Sequence, residues 1–101
     1  MAQTKREKWN NEDSDALFRA VLALRTVDEA RRFFRDLLTE KELIEFSHRW
    51  KAAWMLDRGV PYKEIERATW MSSTTVARVK RCLASGKGGY RLVLARLKGN
   101  S

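Results

Sequence analysis

Residues 62–83, YKEIERATWMSSTTVARVKRCL, contain the pattern that decides the fold of this 101-residue chain. The second half of this segment has one apolar stripe at helical spacing, formed by Val76, Val79 and Leu83. Pro61 is suited to begin a shorter helix before it, and Ile65 is spaced to pack against Val76. Two short helices locked by such contacts are typical of a helix-turn-helix. The spacing therefore predicts this motif at about residues 62–84.

The surface of the second helix away from the stripe is hydroxyl-rich at its start and basic further on. The hydroxyl of Ser72 or Ser73 can accept from the free N–H groups of the first turn. The side chains expected on this surface are Ser73, Thr74, Thr75, Arg78, Lys80 and Arg81. Short hydroxyls at a helix start can enter a groove of DNA, so the segment is a candidate DNA reader. The same pattern also fits an ordinary helical hairpin whose basic faces only meet solvent.

The basic charge of the chain is concentrated in its C-terminal part. The sequence holds 21 basic and 13 acidic residues, for a net charge of +8. The first 57 residues hold 11 of each sign, so the whole excess follows them, and no acidic residue occurs after Glu66. A positive footprint confined to the part with the predicted reading helix favours binding to a polyanion such as double-stranded DNA.

Length and composition predict one cytoplasmic domain that shares part of its core with a second copy. A chain of 101 residues can bury a core but is only modestly stable as a monomer. Cys82 is the only cysteine, so no internal disulfide is possible and a reducing compartment is expected. The charged N-terminus resembles no secretory signal, and no apolar run reaches the roughly 18 residues of a membrane helix.

The periodicity along the chain predicts six helices and no strand. Residues 1–10 are predicted to form a flexible arm, residues 11–98 a single helical domain, and residues 99–101 a tail. A first helix from Asn11 is expected to be mostly buried, and capping boxes at Thr26 and Thr39 are expected to begin the second and third helices. The third helix, about 40–57, is apolar on more than one side, which suits the centre of an interlocked dimer.

Catalytic and metal sites are not predicted. Ser47 and His48 are the only adjacent nucleophile and base, but consecutive helical residues diverge by about 100° and do not face each other. One histidine and one cysteine are too few for a structural zinc site. The glycines at 86, 88 and 89 do not follow a strand and lack the ending of a phosphate-binding loop. The sequence therefore argues against an enzyme and against a bound cofactor.

Three stretches, LTEKELIEFSHRWKAAWMLDRG, YKEIERAT and STTVARVKRCL, resemble the Trp repressor superfamily and, within it, the YerC/YecD group. The segments LFRAVLALRTVDEARRFFRDLLTEKEL and GGYRLVLARL extend the resemblance to about residues 14–98. It implies an all-α, intertwined homodimer that presents two helix-turn-helix units.

The resemblance also implies roles for single residues. Lys63 and Arg67 would meet phosphates, while Ser73, Thr74 and Thr75 would approach base edges directly or through water.

The resemblance also implies a place for a small-molecule effector. Thr39, Arg49 and Arg78 match the positions that surround the amino-acid corepressor in the Trp repressor. Cys82 stands where that pocket has a serine, and Val79 stands where a glycine leaves room for the indole ring. A tryptophan corepressor is therefore not expected, and the arginines could instead hold another acid or pair with carboxylates or phosphate.

Trp70 is a second departure, because helix-turn-helix units usually have glycine at this turn position. An L-residue in the left-handed conformation costs on the order of 1 kcal/mol. We expect either a reshaped turn or an indole that covers the turn. Contact of Trp70 with a nucleotide or with a partner surface is the alternative.

The hypothesis from the sequence is a homodimeric, sequence-specific DNA-binding transcription regulator that represses by occupying its site. An alternative from another class is a helical dimeric interaction module that uses its basic face on a protein or RNA partner.

Overall fold

The computed structural model describes residues 7–99 and folds them into six α-helices. The helices are α1 (Glu12–Leu22), α2 (Val27–Leu37), α3 (Glu40–Asp57), α4 (Tyr62–Thr69), α5 (Ser73–Ser85) and α6 (Gly89–Gly99). No strand occurs within this range, so the predicted all-α, six-helix fold is confirmed. None of these helices has the length and apolar character needed to cross a bilayer.

The chain divides into two compact units, one that ends at Thr39 and one that begins at Glu40. The predicted arm and tail fall mostly on residues 1–6 and 100–101, which lie outside the described residues. The described part of the arm is a turn, in which the N–H of Asn10 donates to the carbonyl of Glu7 at 2.9 Å. The prediction of one domain over residues 11–98 stays a prediction.

The first unit contains two helices that begin at side-chain caps. Asn11 and Ser14 form a reciprocal capping box at the start of α1, with both side-chain to backbone distances at 3.0 Å. Thr26 Oγ1 accepts from the N–H of Glu29 at 3.1 Å, which confirms the predicted cap of α2. The Glu29 carboxylate accepts from the N–H of Arg25 at 2.9 Å, one residue earlier than the capping box predicts.

Many apolar side chains of the first unit are exposed to solvent when the chain is considered alone. Neither α1 nor α2 has a buried residue, and Leu22 is 82% exposed. Phe18, Val27 and Leu37 are exposed as well. The prediction that α1 is mostly buried is therefore wrong for the isolated chain, because helical periodicity shows which face is apolar but not what covers it.

The core of the second unit forms where α3, α4 and α5 pack together. It consists of Ala52, Ala53, Leu56, Ile65, Val76 and Val79. Ile65 and Val76 are both 0% exposed and belong to this one cluster, as the spacing of the helix-turn-helix predicts. Six partly buried side chains pack around this cluster: Trp50, Met55, Val60, Met71, Leu83 and Tyr90.

The central helix α3 ends at Asp57, as predicted, and a glycine closes it two residues later. Gly59 has a φ of 79°, a left-handed conformation that glycine adopts without a steric penalty. Its N–H donates to Leu56 O at 3.0 Å, and the N–H of Val60 donates to Met55 O at 3.0 Å. These two bonds form a Schellman motif, which satisfies carbonyls that the helix end leaves free and turns the chain towards α4.

The last helix, α6, is attached to its neighbours by two polar contacts. Arg91 Nε donates to Leu83 O at 2.6 Å and so satisfies one of the free carbonyls at the end of α5. Lys98 Nζ lies 2.5 Å from Asp57 Oδ2, which joins the end of α6 to the end of α3.

The turn between α4 and α5 is held by the hydroxyl of Thr69, which is 1% exposed. Thr69 Oγ1 donates to Ile65 O at 2.7 Å and accepts from the N–H of Met71 at 3.3 Å. Trp70, between them, has φ 59° and ψ 15°, and its N–H donates to Glu66 O at 2.8 Å. The turn therefore keeps the left-handed residue of a helix-turn-helix and is not reshaped around the tryptophan.

Thr69→Val should lower the free energy of unfolding by about 1–3 kcal/mol, because it removes both hydrogen bonds of the buried Thr69 hydroxyl and leaves the partly buried N–H of Met71 without its acceptor. Chemical denaturation followed by circular dichroism measures this loss. Ser47→Ala is the matched control, since Ser47 Oγ also donates to the carbonyl four residues before it, Leu43 O at 2.8 Å, but is exposed. An equal effect of the two substitutions would contradict the role given to Thr69.

Candidate nucleic-acid interface

The reading helix α5 has an exposed polar face directly opposite its buried face. Because successive residues turn by about 100°, Thr74, Arg78 and Arg81 lie on one stripe. Val76, Val79 and Leu83 lie about half a turn away and pack towards the core. Thr74, Arg78 and Arg81 are all exposed. The packing of α5 on α3 and α4 therefore turns this stripe, which we call the reading face, outwards.

The other predicted base-reading residues lie beside the reading face. Ser73 and Lys80 are exposed on one flank. Thr75 lies on the other flank, is only partly exposed, and its hydroxyl is 3.0 Å from the hydroxyl of Ser72. Ser72 also accepts from the N–H of Thr75 at 3.2 Å and is the N-cap of α5. The hydroxyl of Thr75 is thus already hydrogen-bonded to Ser72. Within residues 7–99, the hydroxyl of Thr74 has no such hydrogen bond.

The first helix of the motif presents two basic side chains to solvent. Lys63 and Arg67 are four residues apart on α4, so they lie on one face, about half a turn from the buried Ile65. Neither side chain takes part in an ion pair within residues 7–99, unlike Arg32, which pairs with Asp28. Their positions agree with the predicted phosphate contacts, although the contacts themselves stay predictions.

Three of the four predicted effector residues meet in one cavity. Arg49, Arg78 and Cys82 line a space of about 240 Å³ together with Thr75, Val79 and Tyr90. This volume is below the roughly 300–1,000 Å³ of typical small-molecule pockets. Thr39, the fourth predicted residue, is exposed at the end of the first unit, directly before α3.

Tyr90 is a cavity residue that the sequence did not predict. Burial raises the pKa of its phenol, the nearby Cys82 raises this pKa further, and Arg49 acts in the opposite direction. The phenol therefore stays protonated at neutral pH and can donate a hydrogen bond into the cavity. Its ring also lies 6.3 Å from the ring of Trp50. Nothing near α5 in the sequence points to Tyr90, because it follows a glycine-rich loop and its place depends on how α6 folds back.

Val79 forms part of the cavity wall and of the core at the same time. It is 4% exposed and belongs to the cluster that holds α5 on α3. Its methyl groups therefore occupy space that a glycine at this position would leave open. The exposed thiol of Cys82 replaces a hydroxyl and is a weak hydrogen-bond partner.

Ser47 and His48 are the adjacent nucleophile and base of the sequence. The hydroxyl of Ser47 is directed along its own helix to Leu43 O. Within residues 7–99, no group of three or more His, Cys, Asp or Glu side chains is placed to hold a metal ion.

Comparison with known proteins agrees with this architecture. A sequence model of the Trp repressor protein family matches residues 12–98. The chain is 39% identical over 92 residues to the uncharacterized protein YerC of Bacillus subtilis (strain 168), which covers 91% of this chain and 88% of that protein. It also resembles the crystal structure of a TrpR-like protein from Eubacterium eligens ATCC 27750, with a TM-score of 0.85 and 37% identity over 90% of this chain and 94% of that one. The chain therefore belongs to the Trp repressor family, a family of DNA-binding regulators.

Proposed function

We propose that this protein is a sequence-specific DNA-binding transcription regulator that represses as a homodimer by occupying its operator. The observation that carries the proposal is the reading face of Thr74, Arg78 and Arg81, which lies opposite the buried side of α5. A hydroxyl near the helix start and two arginines further along can donate to base edges and phosphates. The proposed action is cytoplasmic and involves no catalysis, cofactor or membrane.

Electrostatics supports double-stranded DNA as the partner. Lys63 and Arg67 supply exposed basic side chains on α4, the helix before the reading helix, and no acidic residue follows Glu66. A surface of this kind gains affinity by releasing the counterions of phosphates. The reading face then adds discrimination among sequences, because only base contacts and DNA shape carry sequence information.

Selection from a randomised pool of duplexes tests the proposal. A dimeric regulator should enrich a two-fold-related motif whose half-sites are about 10 bp, roughly 34 Å, apart, or a multiple of this. Enrichment of no motif, with capture of a protein or a folded RNA instead, would favour the alternative of a helical interaction module.

Lys63→Ala and Arg67→Ala should weaken binding to every duplex about equally. Each lost phosphate contact should lower the slope of log affinity against log salt by about 1, hence by about 2 in a dimer. Thr74→Ala should instead change which base is preferred at one position in each half-site. Fluorescence anisotropy at several salt concentrations, on the operator and on an unrelated duplex, measures both effects.

Arg32→Ala is the matched control for these variants, since it removes an exposed arginine that pairs locally with Asp28. Its salt slope should equal that of the wild type. A uniform loss on all duplexes for Thr74→Ala would remove the base-reading role from the start of α5.

Dimerisation should be visible by sedimentation, which at micromolar concentration should give twice the chain mass of 11.8 kDa. The exposed apolar side chains of α1, α2 and the first half of α3 support this, including Leu22, Ile44 and Phe46. Leu22→Lys should weaken the dimer by at least about tenfold if a second copy covers Leu22, because a buried lysine without a partner is costly. A well-folded wild-type monomer at this concentration would contradict the intertwined dimer.

We propose further that free tryptophan is not the effector. Val79 occupies one wall of the cavity. The thiol of Cys82, a weak hydrogen-bond acceptor, stands where the ammonium group of tryptophan would need a good one. Arg49 and Arg78 could bind the carboxylate of a different acid, or the cavity binds no small molecule at all. Calorimetry of the protein with millimolar tryptophan should give no saturable heat, and tryptophan should leave operator affinity unchanged. Saturable heat with tighter operator binding would restore tryptophan as corepressor.

A further inference from the structure

Trp70 is placed in a way that the fold itself does not explain. Its backbone has φ 59°, which makes it the only non-glycine residue of the described chain with positive φ. Its side chain is 88% exposed, so the expectation that the indole covers the turn is wrong for the isolated chain. A left-handed L-residue persists only where the surroundings hold it, and such residues cluster at binding sites. A large aromatic side chain kept in solvent at a position suited to glycine points to a partner.

The surroundings of Trp70 indicate which partner. It stands two residues before Ser72, the N-cap of α5, and is therefore next to the beginning of the reading face. It lines a groove of about 310 Å³ with Glu45, His48 and Arg49 of α3 and with Thr75 of α5. Arg67 lies three residues before it on α4 and is exposed. Trp70 thus stands between residues proposed to meet phosphates and residues proposed to read bases.

We propose that Trp70 contacts the sugar-phosphate backbone of double-stranded DNA beside the start of α5. The indole face packs on a deoxyribose, and Nε1–H, which can only donate, bonds to a phosphate oxygen. The backbone is favoured over a base because Trp70 precedes the N-cap and is not part of the reading face. This inference rests on the proposed DNA-binding function. Trp70 would add an uncharged contact with the backbone to the charged contacts proposed for Lys63 and Arg67.

Three variants separate this role from a structural one. Trp70→Gly removes the indole and suits the left-handed backbone, so it should raise the melting temperature by about 2–6 °C. The same variant should lose about tenfold in affinity for the operator and for an unrelated duplex alike, because two heads each lose one contact. Trp70→Phe keeps a ring without the N–H and should lose less. Trp9→Phe, which changes an exposed tryptophan outside the motif, should change neither quantity.

The salt dependence provides the sharpest readout. A neutral indole releases no counterion, so Trp70→Gly should keep the wild-type salt slope, whereas Lys63→Ala should reduce it. Acrylamide quenching of the tryptophan fluorescence should fall when duplex is added to the wild type, and this fall should be absent in Trp70→Gly.

Each other outcome overturns the inference in a recognisable way. Unchanged affinity of Trp70→Gly would show that the indole is not at the interface with DNA. An altered base preference without a uniform loss would make Trp70 a base-contacting residue instead. Dissociation of the dimer in sedimentation would assign the indole to the partner subunit. If the wild type itself binds no duplex, the proposed function fails and this contact fails with it, whereas wild-type binding with an inert Trp70→Gly rejects the contact alone.

Discussion

The second unit depends on the close contact of Ile65 and Val76 with Ala52 and Ala53, all of which are 0% exposed. Alanine side chains on α3 leave room for α4 and α5 to approach its backbone, and the two branched residues fill that space. Because Val76 and Val79 must face this core, the opposite side of α5 must face outwards. The direction of the reading face is therefore a consequence of core packing. A substitution in the core could alter the proposed DNA binding without changing any residue of the reading face.

Neighbouring hydrogen bonds offset the conformational free energy that the turn between α4 and α5 costs. Trp70 in the left-handed conformation costs roughly 1–2 kcal/mol, while a hydrogen bond contributes about 1 kcal/mol net. The two bonds of the Thr69 hydroxyl and the bond from Trp70 N–H to Glu66 O are together of the size needed to hold it. Partly buried Met71 then fixes the chain on the far side of the turn. A turn held this firmly fixes the backbone of Trp70, so little backbone entropy is lost there on binding.

The features that the sequence predicted are those that depend on local spacing. The stripe of α5, the caps at Thr26 and Ser72, and the glycine at the end of α3 involve residues within a few positions of one another. The features that it missed depend on contacts between distant segments or on side-chain direction. Tyr90 reaches the cavity only because α6 folds back on α5. The exposure of the Trp70 side chain is a matter of side-chain direction, which residue spacing does not predict. The exposure of α1 and α2 is a third case, because periodicity is the same whether a face is covered by its own chain or by another.

The separation of charge along the chain bears on how self-association and DNA binding coexist. Two copies of a chain with net charge +8 repel each other, although salt at physiological concentration largely screens exposed charges that are more than about 8 Å apart. The first 57 residues are balanced in sign, so an interface built mainly from their exposed apolar side chains would bring little net charge together. The excess positive charge belongs to the part with the reading face, where the phosphates of bound DNA would neutralise it. DNA would then relieve repulsion between the two basic parts of the proposed dimer, so binding to DNA and dimerisation should strengthen each other by linkage.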